Sequence, residues 1–266
     1  MKPEPDKEPI LRVEKITKAF GGIQALNGVS FDVHEGEILG IIGPNGSGKT
    51  TVVNCITGFI KKTSGRVLFK GKDISHAKPH KIADMGITRT FQIMRPYYSL
   101  PAYKNLVIPL FSPRAKRTGG WRGGGKLGDR NTVSIDILEE IGFERDSYVP
   151  YKVAATLPTG YLKRLELARC LALKPDIIIC DEVFSGLSMS EIASMVPLIE
   201  RLQMDGITLI MIEHRLRELF RVANRIVVLN FGEKLAEGSS KAVMADERVK
   251  EAYFGSRKIE EVMKHA

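Results

Sequence analysis

The stretch "GEILGIIGPNGSGKTTVVNCITGF", Gly36–Phe59, decides the fold of this chain. Its apolar residues Ile38–Ile42 predict a buried β-strand. That strand runs directly into "GPNGSGKT", Gly43–Thr50, which matches the pattern G-x-x-x-x-G-K-[ST] of a phosphate-binding loop. A buried strand, a glycine-rich loop and a following helix, in this order, indicate an α/β fold.

The residue types of this loop suit a triphosphate and its metal ion. Gly43, Gly46 and Gly48 let the backbone curve so that its N–H groups converge on phosphate oxygens, and the next helix adds its positive N-terminal end. Lys49 brings a charge to the β- and γ-phosphates, and Thr50 offers a hydroxyl to Mg²⁺. The alternative is an ordinary glycine-rich turn. We predict that ATP contacts Gly43, Pro44, Asn45, Gly46, Ser47, Gly48, Lys49, Thr50 and Thr51.

A second apolar run, "DIIIC" at Asp176–Cys180, is followed by two acidic residues. The unbroken run predicts a central parallel strand that is covered on both faces. Asp181 can then hold Mg²⁺ through its water shell, and Glu182 can orient and deprotonate the attacking water. The alternative interpretation is that this acidic pair only caps the next helix.

The run "GITLIMIEH", Gly206–His214, predicts another strand, with a histidine after it. Ligands of open α/β sheets lie at the carboxyl ends of the strands, so His214 can reach the γ-phosphate of a bound nucleotide. A lone histidine after a strand is more often structural, and both interpretations remain open. The cysteines show no metal-ligand spacing, which predicts buried thiols at Cys55, Cys170 and Cys180.

The composition suits a soluble chain, with 266 residues of which 43% are apolar and 27% are charged. The longest apolar runs, such as "ITLIMI" at Ile207–Ile212, are far shorter than the ~20 residues that cross a bilayer. The start, "MKPEPDKEPI", lacks the apolar stretch of a secretory signal, so we expect a cytosolic chain. The net charge of +9 suits either an anionic partner or a lysine-rich surface.

The order of the motifs resembles a known family. The series "GPNGSGKT", "TRTFQ", "LPTGYLKRLELARCLALKPDIIICDE", "SGLS" and "IEH" resembles the ATP-binding subunit of ABC transporters over nearly the whole chain. Within that family, "KAFGGIQALNGVSF", "GITRTFQ" and the tail "GEKLAEGSSKAVMADERVKEAYFG" look most like the subunits of branched-chain amino acid importers. Close relatives serve urea and other small polar solutes, so the solute remains open.

The resemblance assigns further roles. Phe20 falls where the family stacks an aromatic ring on adenine, although an ordinary core aromatic is an equal alternative. Gln92 matches the glutamine that touches Mg²⁺ and the water, and His214 matches the switch histidine of the family. Arg89 and Thr90 belong to the same "RTFQ" string without a physical account of their own. The resemblance therefore implies catalytic roles for Lys49, Gln92, Glu182 and His214, and Mg²⁺ ligation by Thr50, Gln92 and Asp181.

The signature loop of the family departs from its usual sequence. Leu-Ser-Gly-Gly-Gln is replaced by "LPTGY", Leu157–Tyr161, in which Pro158 removes a hydroxyl and an N–H donor and Thr159 adds a side chain where glycine allows close approach. Proline is tolerated in the first turn of a helix, so we expect the helix to form. Since each ABC site joins two subunits, the change weakens the partner's site, unless both sites tolerate the looser signature. Ser188, where many members have aspartate or asparagine, is a second departure.

Pattern and resemblance together predict the architecture. We expect a P-loop NTPase core of the α/β class, formed by residues 1–92 and 166–266, with an antiparallel β subdomain. Residues 93–165 form an inserted helical subdomain, and its segment 113–130 is predicted to be a flexible basic loop. Three tyrosines lie near the start of this helical subdomain: Tyr97, Tyr98 and Tyr103. They can line a groove for a helix of a membrane subunit or simply pack inside the subdomain.

The family resemblance also implies partners. We expect a peripheral protein on the cytoplasmic side of the membrane that binds ATP and Mg²⁺, works with membrane permease subunits and pairs with a second, different ATP-binding subunit. A solute-binding protein would act on it only indirectly, and no nucleic acid is expected. Two alternatives stay open: a soluble ABC protein that acts on ribosomes or DNA, and a regulatory subunit that binds ATP without hydrolysing it. Glu182 and His214 argue against the second.

Overall fold

The chain contains both strands and helices, as expected of an α/β protein. The structure, a computed structural model, describes residues 8–117, 130–144 and 146–254. The chain divides into two compact units. Unit 1 consists of Met1–Pro79 and Gln203–Ala266, and unit 2 is His80–Leu202. The domain boundaries expected near residues 92 and 166 stay a prediction.

The bounds of the elements are as follows. The strands of the described residues are β1 (Leu11–Phe20), β2 (Ile23–Val33), β3 (Ile38–Ile42), β4 (Ser64–Phe69), β5 (Lys72–Asp73), β6 (Ile87–Arg89), β7 (Ile177–Asp181), β8 (Thr208–Ile212), β9 (Arg225–Asn230) and β10 (Glu233–Gly238). The helices are α1 (Lys49–Ile56), α2 (Pro79–Met85), α3 (Lys104–Leu110), α4 (Pro113–Arg117), α5 (Arg130–Glu140), α6 (Thr159–Leu171), α7 (Met189–Met204), α8 (Leu216–Val222), α9 (Ser240–Ala245) and α10 (Glu247–Phe254).

Unit 1 contains two groups of paired strands. One is an antiparallel sheet in the order β2-β1-β4-β5, in which β1 pairs with β2 from Leu11 opposite Val33 to Phe20 opposite Ile23. In the other, β3 pairs in parallel with both β8 and β9, and β10 is antiparallel to β9. All residues of β3 and β8 are buried, as expected of parallel strands covered on both faces. The predictions of these two strands are confirmed.

Unit 2 contains a parallel pair and most of the helices. Strand β6 pairs with β7 from Ile87 opposite Ile177 to Arg89 opposite Ile179, and β7 is buried throughout. The α/β class and the antiparallel β part of the fold are therefore confirmed. The predicted thiols are also buried, and the described cysteines form no disulfide. Among the described residues, no helix has the length and apolar character needed to cross a bilayer.

One part of the chain predicted as a flexible loop is helical. Pro113–Arg117 forms α4, and the guanidinium of Arg114 donates hydrogen bonds to the carbonyl oxygens of Met85 at 2.7 Å and Lys174 at 2.8 Å and to the Asp176 carboxylate at 2.9 Å. These bonds fix a segment whose composition alone indicated a loop. Residues 118–129, the rest of the predicted basic loop, lie outside the described residues.

A buried ion pair connects the strands of unit 1. Arg225, at the start of β9, places its guanidinium 2.6 Å from Glu37 Oε1 and donates to the carbonyl oxygen of Asp32 at 2.6 Å. It is also paired with Glu237 of β10. The Glu37 side chain is only 3% exposed, so its charge depends on Arg225 for compensation.

We predict that Arg225→Met lowers the free energy of unfolding by about 3 kcal/mol, because it leaves the Glu37 carboxylate buried without its partner. Chemical denaturation measures this value. Arg66→Met is the matched control, since Arg66 pairs with Glu14 in the same unit but is 63% exposed. That variant should lose less than about 1 kcal/mol. Equal losses in the two variants would show that burial does not increase the contribution of the ion pair to the free energy of unfolding.

Candidate active site

The predicted phosphate-binding loop connects β3 to α1 in unit 1. Gly46 and Gly48 have φ angles of +79° and +103°, in the left-handed region that favours glycine. A Cβ atom on Gly48 would lie 2.7 Å from Leu26 Cδ2 and 2.9 Å from the carbonyl oxygen of Ala25. Any side chain at Gly48 is therefore excluded both by backbone conformation and by space, which explains why the motif needs glycine there.

The side chains of the loop leave a polar cradle. Lys49 is 6% exposed, and its ammonium donates hydrogen bonds to the carbonyl oxygens of Gly43 at 2.7 Å and Pro44 at 2.9 Å. Ser47 is 2% exposed, and its buried hydroxyl has no hydrogen-bond partner among the described residues. Native proteins rarely leave a buried hydroxyl unpaired, and an oxygen of a bound phosphate is a suitable partner for this one. These residues fit a bound phosphate group.

The loop borders an open cleft within unit 1. The cleft has a volume of about 710 Å³, within the size range of small-molecule sites. Asn45, Gly46 and Thr50 are exposed, whereas Thr51 is half-buried in α1. The lining residues are Pro44, Asn45, Gly46, Ser47, Asn230, Phe231, Leu235, Arg248, Glu251 and Ala252.

Tyr253 is a neighbour of the loop that the sequence reasoning missed. It lies in α10, near the end of the described residues, and its phenolic oxygen accepts a hydrogen bond from the backbone N–H of Gly43. Burial raises the pKa of the Tyr253 hydroxyl, so the group stays neutral at physiological pH. No spacing in the sequence signals a contact between residues so far apart in the chain.

Two further predicted residues of unit 1 lie at strand ends. Phe20 ends β1 and is 46% exposed, with the ammonium of Lys18 at 4.7 Å from its ring centroid. This exposure argues against the alternative of an ordinary core aromatic. His214 is exposed and follows the end of β8. Their nucleotide contacts remain predictions.

The two acidic residues of unit 2 have different environments. Asp181 is the last residue of β7, and its side chain is 2% exposed. Glu182 is half-buried and has a φ angle of +54°, which is unfavourable for a residue with a Cβ atom. The ammonium of Lys163 donates to the carbonyl oxygen of Glu182 at 2.8 Å and holds this backbone conformation. Strained backbone that the surroundings maintain is common at active sites.

The segment Arg89–Gln92 contacts both acidic residues, and we call it the carboxylate clamp. Arg89 Nη2 lies 2.7 Å from Asp181 Oδ2, and the Thr90 hydroxyl accepts a hydrogen bond from the Asp181 N–H at 3.1 Å. Gln92 Nε2 donates to Glu182 Oε2 at 3.1 Å. Gln92, Asp181 and Glu182 are thus brought together as expected, and Arg89 and Thr90 gain a physical role that the sequence did not reveal.

Burial shifts the pKa values of Asp181 and Arg89. It raises the pKa of the Asp181 carboxyl, an effect that the positive charge of Arg89 opposes and the negative charge of Glu182 reinforces. It lowers the pKa of Arg89, and here the Asp181 charge acts in the opposite direction. Each partner therefore offsets the desolvation of the other.

The altered signature loop, Leu157–Tyr161, leads into α6 as predicted. Pro158 is the N-cap and makes no side-chain cap hydrogen bond, and the helix runs from Thr159 to Leu171. The cap comes instead from Glu191 of α7, whose carboxylate accepts the Gly160 N–H. A Cβ atom on Gly160 would lie 2.5 Å from Glu191 Oε1, so a larger residue there would displace this carboxylate. Ser188 donates to the same carboxylate through its N–H at 2.8 Å and its hydroxyl at 2.7 Å.

Comparisons with known proteins agree with these features. The sequence pattern of a family described as "ABC transporter" matches residues 26–185, and one described as "Branched-chain amino acid ATP-binding cassette transporter" matches residues 233–259. The chain belongs to the ABC transporter family. It is 34% identical to the high-affinity branched-chain amino acid transport ATP-binding protein BraF of Pseudomonas aeruginosa, over 93% of this chain and 98% of that protein.

Solved structures of ABC cassettes are similar as well. A crystal structure of the ADP conformation of an ATP-binding cassette of an ABC transporter is 34% identical, with a TM-score of 0.81 over 94% of this chain and 100% of that one. The dimeric structure of a bacterial ABC transporter cassette is 26% identical, with a TM-score of 0.75 over 86% of this chain and 98% of that one. The P-loop fold and the ABC ATPase assignment are confirmed, whereas the roles of individual residues remain predictions.

We predict that Glu191→Gln lowers the thermal unfolding midpoint of this ABC subunit at pH 7. Hydrogen bonds from Ser188 and then Gly160 lower the pKa of Glu191 from its ordinary value of 4.5. The carboxylate therefore stabilises the folded chain above its unfolded pKa, and this contribution is lost as the pH falls through the folded pKa. The difference in midpoint between wild type and variant should shrink below about pH 4.5. A difference that is constant with pH would contradict the cap.

Proposed function

We propose that this chain energises the uptake of branched-chain amino acids by hydrolysing ATP on the cytoplasmic side of the membrane, attached to separate permease subunits. The observation that carries the ATP chemistry is the cradle of Gly43–Thr50, with its buried lysine and a Ser47 hydroxyl that has no hydrogen-bond partner in the described part of the chain. The solute is supported by the name of the BraF relative and by the match of residues 233–259. Permease subunits are supported by the family to which the chain belongs, that of ABC transporters.

Each residue has a distinct part in this proposal. Mg²⁺·ATP, when bound, supplies the phosphoanhydride bond that water cleaves, and the metal ion neutralises part of the negative charge on the phosphate oxygens. The Lys49 ammonium and the loop N–H groups bind phosphate oxygens, and Glu182 accepts the proton of the attacking water. Hard oxygen ligands suit Mg²⁺, and the chain offers a hydroxyl, an amide and a carboxylate for it. These Mg²⁺ ligands are Thr50, Gln92 and Asp181.

Two more residues complete the site. His214 contacts the γ-phosphate and senses its presence, and Phe20 stacks on adenine with its exposed face. In the clamp, Gln92 already donates to Glu182, so movement of the glutamine on nucleotide binding is transmitted to the general base. That hydrogen bond supports a link between nucleotide state and the position of Glu182.

We predict that Glu182→Gln keeps ATP binding but slows hydrolysis in the assembled transporter by about 100-fold or more, because the amide cannot accept the proton of water. Uptake of radiolabelled leucine into proteoliposomes should stop with it. Glu247→Gln is the control, since that side chain is 80% exposed in α10 and should leave both rates unchanged. Unchanged hydrolysis would remove Glu182 from its role. Urea uptake in place of leucine uptake would identify a different solute.

We also propose that the chain pairs with a different ATP-binding subunit and that the two composite sites are unequal. A related cassette forms a dimer. The site completed by this chain's signature loop is the weaker one, because Pro158 offers no N–H and the Gly160 N–H is already bonded to the Glu191 carboxylate. That carboxylate also repels an approaching phosphate.

The double substitution Pro158→Ser with Thr159→Gly tests this asymmetry. We expect it to raise ATP occlusion at the partner's Walker residues, since it restores a hydroxyl, an N–H donor and room for the phosphate. Occlusion at each site is measured in the heterodimer after inactivating one phosphate-loop lysine at a time. Equal changes at both sites would defeat the hypothesis.

A further inference from the structure

Within the carboxylate clamp, Arg89 forms an ion pair with the buried Asp181 carboxylate. We propose that Arg89 is a positioning residue that orients the Asp181 carboxylate for Mg²⁺, and so sets how strongly Mg²⁺ tightens nucleotide binding. This inference rests on the proposed function, in which Asp181 is a Mg²⁺ ligand. Arg89 itself does not touch the nucleotide in this proposal.

The arginine is fixed from several sides within unit 2. Its side chain is 6% exposed and makes a 2.7 Å ion pair with Asp181 Oδ2. Its Nε donates to the carbonyl oxygen of Thr90 at 3.3 Å, and its Cζ lies 4.8 Å from the centroid of the Phe91 ring. A guanidinium held by an ion pair, a carbonyl and an aromatic ring has little freedom to turn, so it is a rigid support for the carboxylate.

The carboxylate has no other freedom either. The Asp181 N–H is bonded to the Thr90 hydroxyl, and the Thr90 N–H donates to the carbonyl oxygen of Ile179 at 2.9 Å. The backbone of Asp181 and its Oδ2 atom are therefore both fixed, which gives the carboxylate one defined orientation. Groups that orient a ligand in this way typically change metal affinity by about 10–100-fold when removed.

Charge alone predicts the opposite effect. A positive guanidinium repels Mg²⁺. If Arg89 only competed with Mg²⁺ for Asp181, loss of Arg89 would therefore strengthen Mg²⁺ binding. We favour the supporting role because Arg89 is itself held by the Thr90 carbonyl oxygen and the Phe91 ring, so it fixes Oδ2 of the buried carboxylate in one position. The two roles therefore differ in the sign of the change.

The test measures binding of a fluorescent N-methylanthraniloyl ADP to the purified full chain, once with excess EDTA and once with Mg²⁺. We define the Mg²⁺ gain as the dissociation constant in EDTA divided by the dissociation constant in Mg²⁺. We expect Arg89→Gln to reduce this gain by about 10-fold or to abolish it. Affinity in EDTA should stay unchanged, because the loop Gly43–Thr50 binds the phosphates without the metal.

Arg114→Gln is the matched control. Arg114 pairs with Asp176 at 2.9 Å, and its side chain is 12% exposed. Asp176 directly precedes β7, whereas Asp181 ends it. A purely structural effect of losing an arginine beside this strand should appear equally in both variants. The proposal requires that the Mg²⁺ gain fall in Arg89→Gln and stay at the wild-type value in Arg114→Gln.

Asp181→Asn separates the possible failures. If it reduces the Mg²⁺ gain and Arg89→Gln does not, or if Arg89→Gln increases the gain, the role of Arg89 is overturned while that of Asp181 stands. If neither variant changes the gain, the assignment of Asp181 to Mg²⁺ fails, and the inference with it. Should Arg89→Gln not fold, Arg89→Lys keeps the charge without the planar fork and should give a partial loss; a full wild-type gain would overturn the proposal.

Discussion

A buried carboxylate at the end of β7 is the constraint on which unit 2 depends. Asp181 is almost fully removed from water, and such a charge must find a cation and hydrogen-bond donors or lose its ionisation. Arg89 supplies the cation and Thr90 fixes the backbone. Because β6 and β7 are parallel neighbours, the residues that follow β6 are brought beside the carboxylates. Sheet register therefore positions Gln92 against Glu182 without any local motif between them.

Unit 1 has the complementary constraint, a buried ammonium inside a loop of glycines. Lys49 is satisfied by the carbonyl oxygens of Gly43 and Pro44, so the loop must curl around its own lysine. That curl needs left-handed backbone at Gly46 and Gly48 and close contact with Leu26. In the same geometry the Ser47 hydroxyl has no hydrogen-bond partner among the described residues, so it can bond to an anion. Stability of the loop and affinity for phosphate thus arise from one conformation.

Short sequence patterns correctly predicted individual strands and helices. The strands β3 and β7 could be read from apolar runs, and α6 from its spacing after a proline, since burial and helix periodicity act over a few residues. Contacts between distant parts of the chain left no such signal. The bond from Gly43 to Tyr253 and the ion pair of Arg89 depend on how strands and helices pack. The helix at Pro113–Arg117 was mistaken for a loop for the same reason.

The signature loop shows how a helix can form without a cap from its own first residue. Pro158 is the N-cap of α6 and makes no side-chain cap hydrogen bond, yet the helix forms, and Glu191 of α7 accepts the Gly160 N–H. Ser188 donates to that carboxylate and orients it, which gives this second departure from the family a structural purpose. The replacement cap is negatively charged, however, whereas a serine hydroxyl is neutral. A negative charge stabilises the helix N-terminus from within the chain, and in the proposed heterodimer it would repel the phosphate of a nucleotide bound to the partner subunit.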